Sequence, residues 1–169
     1  QQVAALGRAF GMTVAAWSPN LTPERAAAGG AEPAPTLRAL MAGADVVSVH
    51  MVLSERTRGL IGAAEFAAMK PDAVFLNTSR AGLIDTGALL GALRAGRPGA
   101  AGLDVFDHEP LAADDPLNDA QLQDAGRLLL TPHLGYTTEA TFALFYTETV
   151  AALRAYAAGA PIRVIAAPG

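Results

Sequence analysis

A chain of 169 residues with 51% hydrophobic and 17% charged residues has the apolar material for a packed core and too little charge for a disordered one. The net charge of -4, a lone lysine (Lys70) and singly scattered arginines leave no basic stripe, which excludes nucleic acid as a direct partner. The absence of cysteine excludes disulfides and thiolate metal sites, and no apolar run is long enough to span a bilayer, so a membrane partner is not expected.

Gln1 to Phe10 carries Val3, Leu6 and Phe10 at helical spacing, and Gly11 ends it. No charged-then-apolar leader precedes Gln1, which reads as a cut or processed end. Thr13 to Trp17 is a short β-like run, followed by the turn Ser18-Pro19-Asn20. Thr22 is a predicted N-cap with Pro23 at the first helical position, and that helix runs to about Ala28. Thr36 caps a second short helix, Leu37 to Ala42. Asp45 to His50 is a strand, apolar on both faces as parallel sheets require. Glu65 to Met69 is a helix, and Ala73 to Thr78 the next strand. Asp85 caps an amphipathic helix, Thr86 to Ala95, stopped by Gly96. Ala100 to Phe106 is a strand. Asp107 to Gly126, polar and with two prolines, reads as a long surface loop with one helical turn. Arg127 to Thr131 is the fifth strand, Thr138 to Ala158 the longest helix, and Ile162 to Ile165 a last short strand.

Strands alternating with helices predict an α/β protein with a parallel sheet. In open parallel sheets ligands bind beyond the carboxyl ends of the strands. Three apolar strands here run into chemically able residues: Leu76-Asn77-Thr78-Ser79 into Arg80, Gly102-Leu103-Asp104-Val105 towards Glu109, and Leu130-Thr131-Pro132 into His133. Arg80, Glu109 and His133 are therefore expected to share one catalytic rim. Histidine exchanges a proton near neutral pH, a carboxylate beside it orients it and favours its charged form, and arginine's rigid fork suits a substrate carboxylate. No pair of histidines has metal-ligand spacing, so no metal is expected.

The segments LNTSRAGLIDTGALLGALRAG, AAGLDVFDHEP and LLLTPHLGY, with FGMTVAAWSPN and SVHMVLSERTRGLIG, resemble the D-isomer-specific 2-hydroxyacid dehydrogenase family over nearly the whole chain. The resemblance implies a Rossmann-like doubly wound sheet and a nicotinamide cofactor, NAD or NADP. It implies a small 2-oxo or 2-hydroxy acid as substrate and a cytoplasmic homodimer. It makes His133 the proton donor and acceptor, Glu109 its helper and Arg80 the substrate binder. It places Asp104 beside the nicotinamide amide, Thr78, Ser79, Leu134 and Gly135 against the cofactor, and His50 beside the adenosine half. A buried structural role is an equal reading for His50.

The sequence departs from the family pattern in two places. No G-x-G-x-x-G turn occurs, nor a strand before Gln1, so the sheet is expected to be incomplete at its N-terminal end. The expected division is a partial dinucleotide-binding domain at residues 1–135, then a crossing helix and tail at 136–169. Such a piece is expected to bind cofactor poorly and to be inactive alone, with neighbours of the missing strand left unpaired. Ser18 stands where many members carry an acidic residue that favours NAD, so relaxed cofactor preference is expected. Two rivals remain open: a non-catalytic, nucleotide-sensing corepressor of the same fold, and formate oxidation, against which Glu109 argues because a glutamine normally stands there.

Overall fold

The computed structural model describes residues 1–165. Its helices are α1 (Gln2–Ala9), α2 (Pro23–Ala28), α3 (Leu37–Gly43), α4 (Ala63–Ala68), α5 (Thr86–Arg94), α6 (Ala120–Asp124) and α7 (Glu139–Ala157). Its strands are β1 (Ala15–Ala16), β2 (Glu32–Pro33), β3 (Val46–Val49), β4 (Val74–Asn77), β5 (Ala100–Leu103) and β6 (Leu128–Leu130). Helix starts follow local chemistry. Side-chain oxygens of Thr22, Thr36, Asp85, Asp119 and Thr138 each accept a backbone N–H from the first turn. Glu65 reaches back to the Gly62 N–H, so α4 opens two residues before its predicted start.

Every strand pair is parallel, as predicted for this α/β chain. β3, β4, β5 and β6 form one sheet in chain order, while β1 and β2 pair separately. β1 and β3 thus each pair on one side only. The register sets Val49 level with Asn77, Asn77 with Leu103 and Leu103 with Leu130. Four strands therefore end at one rim.

Alternation along the strands sends Val47, Val49, Phe75, Ala101, Leu103 and Leu128 into the core with Met41, Phe66, Leu89, Leu93 and Leu122 from the helices. Phe66 and Phe75 meet edge to face, centroids 5.1 Å apart at 82°. The opposite face is bare at its ends: Val46 is 45% and Leu129 67% exposed. This corrects the expectation that Asp45–His50 is buried on both faces. Its outward positions Val46 and Ser48 are exposed, whereas α3, α4, α5 and α6 put their buried residues into one core cluster and α1 buries none. The apolar stripe of α1 forms as spaced, but Val3, Leu6 and Phe10 remain exposed.

Three further expectations change. β5 stops at Leu103 instead of Phe106, because the Phe106 N–H donates to Glu109 Oε1 at 3.0 Å and so does not join a strand ladder. The Asp107–Gly126 segment is more than a surface loop. It buries Leu117 and Leu122 and is fastened to α5 by Arg94 and Asp119 at 2.7 Å, while α6 supplies the helical turn expected there. Ile162–Ile165 forms no strand, having no partner strand, and Arg163 there has φ 54°.

The chain divides into two compact units, Gln1–His133 and the remainder from Leu134. In the second, Tyr136 stacks on Phe145 and Phe142 on Tyr146, and no residue of α7 is buried. Among the described residues no helix is long and apolar enough to cross a membrane.

A one-faced core makes a measurable contrast between two phenylalanines. Phe75→Ala is expected to destabilise the protein by about 3–5 kcal/mol, whereas Phe10→Ala, at an exposed ring, changes stability by at most about 0.5 kcal/mol. Urea midpoints of the two variants check this, and equal shifts would refute it.

Candidate active site

The rim formed by the ends of β4, β5 and β6 is tied together by three polar residues. Asn77 closes β4 and is fully buried. Its amide accepts the Ser79 N–H at 3.0 Å and donates to the Arg80 carbonyl at 3.0 Å, which fixes the loop that carries Thr78, Ser79 and Arg80. Its backbone carbonyl accepts the Asp104 N–H at 3.0 Å. Asp104, one residue past β5, is 4% exposed. A carboxylate that deep needs donors, since burying an unpaired charge costs several kcal/mol. The Thr131 hydroxyl, from the end of β6, donates to Asp104 Oδ1 at 2.5 Å.

Two residues later the chain reaches His133. Its N–H donates to the Thr131 carbonyl at 2.9 Å, closing a turn about Pro132, and its φ is 55°. For a non-glycine residue this left-handed backbone costs roughly 1–2 kcal/mol, and such conformations collect at functional sites. His133 Nδ1 lies 2.8 Å from Glu109 Oε2. The other carboxylate oxygen of Glu109 accepts the Phe106 N–H, so the loop after β5 is folded back to hold Glu109 against β6's loop. The hydrogen bond with His133, followed by that from Phe106, holds the Glu109 carboxyl below its ordinary range. A carboxylate only accepts, so the shared proton belongs to Nδ1 and His133 is the donor in this bond.

Arg80 lies at the adjoining strand end in extended backbone, exposed, with Nη1 donating to the Ser79 carbonyl at 2.6 Å. Ser79 Oγ donates to the Met51 carbonyl at 2.8 Å, linking the ends of β3 and β4. Thr78 is exposed on the same loop. Leu134 and Gly135 open the second unit, where the Leu134 carbonyl accepts the Thr137 hydroxyl at 2.7 Å. Ser18 follows β1 and so belongs to the separate small sheet. His50, at the end of β3, is exposed and paired with Ser48 Oγ at 2.9 Å, which removes the reading of a buried structural histidine. Asn77 and Thr131 were not among the expected site residues. The available signal was a polar residue closing an apolar strand immediately before a turn.

The chain is similar to known proteins over most of its length. Residues 1–135 match the model of the D-isomer specific 2-hydroxyacid dehydrogenase NAD binding domain. A D-3-phosphoglycerate dehydrogenase of Mycobacterium leprae is 41% identical over 138 residues, 82% of this chain and 25% of that protein. A glyoxylate reductase of Aeropyrum pernix is 39% identical over 140 residues, 83% of this chain and 40% of that protein. The crystal structure of an oxidoreductase from Ralstonia solanacearum superposes with a TM-score of 0.87 at 36% identity, over 97% of this chain and 46% of that one. The chain thus spans less than half the length of each of these three. With its parallel sheet, its rim and this match over residues 1–135, the chain belongs to the D-isomer specific 2-hydroxyacid dehydrogenases, through their NAD binding domain.

Proposed function

We propose that the chain carries the acid–base and nicotinamide-binding part of an oxidoreductase that interconverts small 2-oxo acids and D-2-hydroxy acids. The observation that carries this reading is the 2.8 Å bond between His133 and Glu109, held at the carboxyl ends of neighbouring parallel strands. Because Nδ1 is committed to Glu109, Nε2 is the nitrogen that gives a proton to the carbonyl oxygen in reduction and takes it back in oxidation. Glu109 fixes the ring's orientation and stabilises its positive charge. Arg80 binds the substrate carboxylate through its fork and polarises the adjoining carbonyl.

The chemistry of Asp104 fits the nicotinamide end of a cofactor, since a buried acceptor at a strand tip suits a carboxamide N–H. Thr78, Ser79, Leu134 and Gly135 contact the cofactor through backbone groups, and His50 lies on its adenosine side. When bound, the nicotinamide supplies or removes the hydride. A glycine-rich pyrophosphate turn does not occur in these 169 residues, and β1 and β3 are each paired on one side. On this reading the 169-residue chain alone binds the cofactor poorly and reduces nothing. Assembly as a homodimer in the cytoplasm belongs to the same proposal, to be checked by sedimentation. The relatives named above are a dehydrogenase and a reductase and do not favour the corepressor alternative.

Cofactor choice is proposed to be relaxed. Ser18 brings no negative charge to the end of β1, and Arg25 turns towards that loop, its Nη1 donating to the Asn20 carbonyl at 3.3 Å. The check is kcat/KM with NADH and NADPH in the natural protein that carries this chain. A preference for NADH of about a hundredfold, about 2.7 kcal/mol, would overturn it.

The same protein, assayed on a panel of 2-oxo acids, tests the main proposal. His133→Ala is expected to lower kcat by about 10²–10⁴-fold. Arg80→Gln is expected to act mainly through a higher KM for the acid. Absence of reduction of every 2-oxo acid by the natural protein, with NADH and with NADPH, would sink the reading.

The Glu109 pairing also makes a prediction about pH. Its carboxyl is held below the ordinary glutamate range, so the carboxylate persists through neutral pH and the pairing's contribution is lost as the pH falls through that lowered value. A carbon-13 titration is expected to give Glu109 a midpoint under 4.5, returning towards 4.5 in His133→Ala. An unchanged midpoint in that variant would contradict the pairing.

A further inference from the structure

We propose that Thr131 is a positioning residue that locks the cofactor-facing Asp104 and the acid–base His133 into one rigid unit. The inference rests on the proposed dehydrogenase reading and adds to it a residue outside the expected site.

Thr131 makes three bonds in three directions. Its N–H donates to the Leu103 carbonyl at 3.0 Å, its hydroxyl donates to Asp104 Oδ1 at 2.5 Å, and its carbonyl accepts the His133 N–H at 2.9 Å. The first two bonds bind the end of β6 to the end of β5 through backbone and side chain together. The third closes the turn about Pro132 that leads into His133, whose own backbone is left-handed, φ 55°. A half-buried hydroxyl facing a buried carboxylate is a charge-assisted bond, about twice as strong as a neutral one. It removes the rotational freedom of the Asp104 carboxylate and keeps it an acceptor. One residue thus bonds to both: its side chain to the Asp104 carboxylate and its backbone to the start of His133, beside the bonds of Asn77 to Asp104 and of Glu109 to His133. Misplacement by about 1 Å at such a site costs about a hundredfold in rate.

Valine has the shape of threonine without the donor, and serine keeps the donor without the methyl group. In the natural protein, Thr131→Val is expected to lower kcat for 2-oxo acid reduction by about 10–100-fold with the acid's KM changed by less than about threefold. Thr131→Ser is expected to stay within about threefold of the parent. A Val variant with parental kcat, or a Ser variant as impaired as Val, would overturn the proposal. Carbon-13 NMR gives a readout that does not depend on turnover. The Asp104 carboxyl resonance is expected to move in Thr131→Val and to keep its position in Thr131→Ser, and an unmoved resonance in Val would also overturn it. Should Val fail to fold, Thr131→Cys, with its weak S–H donor, takes its place under the same criteria. If the parent protein reduces no 2-oxo acid, the dehydrogenase reading fails, while the NMR comparison still decides the role of Thr131.

Discussion

A buried carboxyl group just past the second-to-last strand governs the rim at which β4, β5 and β6 end. Asp104 takes its place from the backbone of β4 and accepts a hydrogen bond from the hydroxyl of Thr131, just past β6. Desolvating that charge is tolerable only if both neighbours stay in register, so the cost of its burial falls on the alignment of three strand ends. Arg80, Glu109 and His133 stand on the loops that leave those same ends. The contact between Glu109 and His133 follows from the ladder, since β5 and β6 are adjacent, parallel and level, and Arg80 leaves the neighbouring strand β4.

Packing supplies the rigidity behind the rim. Phe66, Phe75, Leu89 and Leu93 are fully buried beneath the sheet, and close-packed interiors resist small displacements. The loops above are held by specific polar contacts: Asn77 inside the β4 loop, Glu109 across to His133, and Thr131 between Asp104 and His133. Each bond alone is worth roughly 1 kcal/mol net. Their value lies in direction, because each fixes the orientation of a group at the rim.

The opposite face of the sheet and the α1 helix tell a different physical story. An amphipathic stripe is written into Val3, Leu6 and Phe10, yet it meets no core in this chain. Val46 and Leu129 are similarly apolar and uncovered. Periodicity reports which side of an element seeks burial; it does not report what buries it.

The sequence by itself determined the alternation of strand and helix, the capped starts of α2, α3 and α5, and the apolar runs that end near Arg80, Glu109 and His133. These are local properties: cap geometry, turn chemistry and hydrophobic period act over a few residues. The family resemblance was legible for the same reason, because its motifs are contiguous. Only the tertiary structure decided that Asn77 and Thr131 belong to the rim, that β5 ends early because Glu109 captures the Phe106 N–H, and that His50 is exposed against Ser48. Those facts depend on which strands become neighbours and where a side chain finds its partner. Residues such as Asp104 and Thr131, 27 positions apart, carry no mark of their hydrogen bond until the sheet has formed.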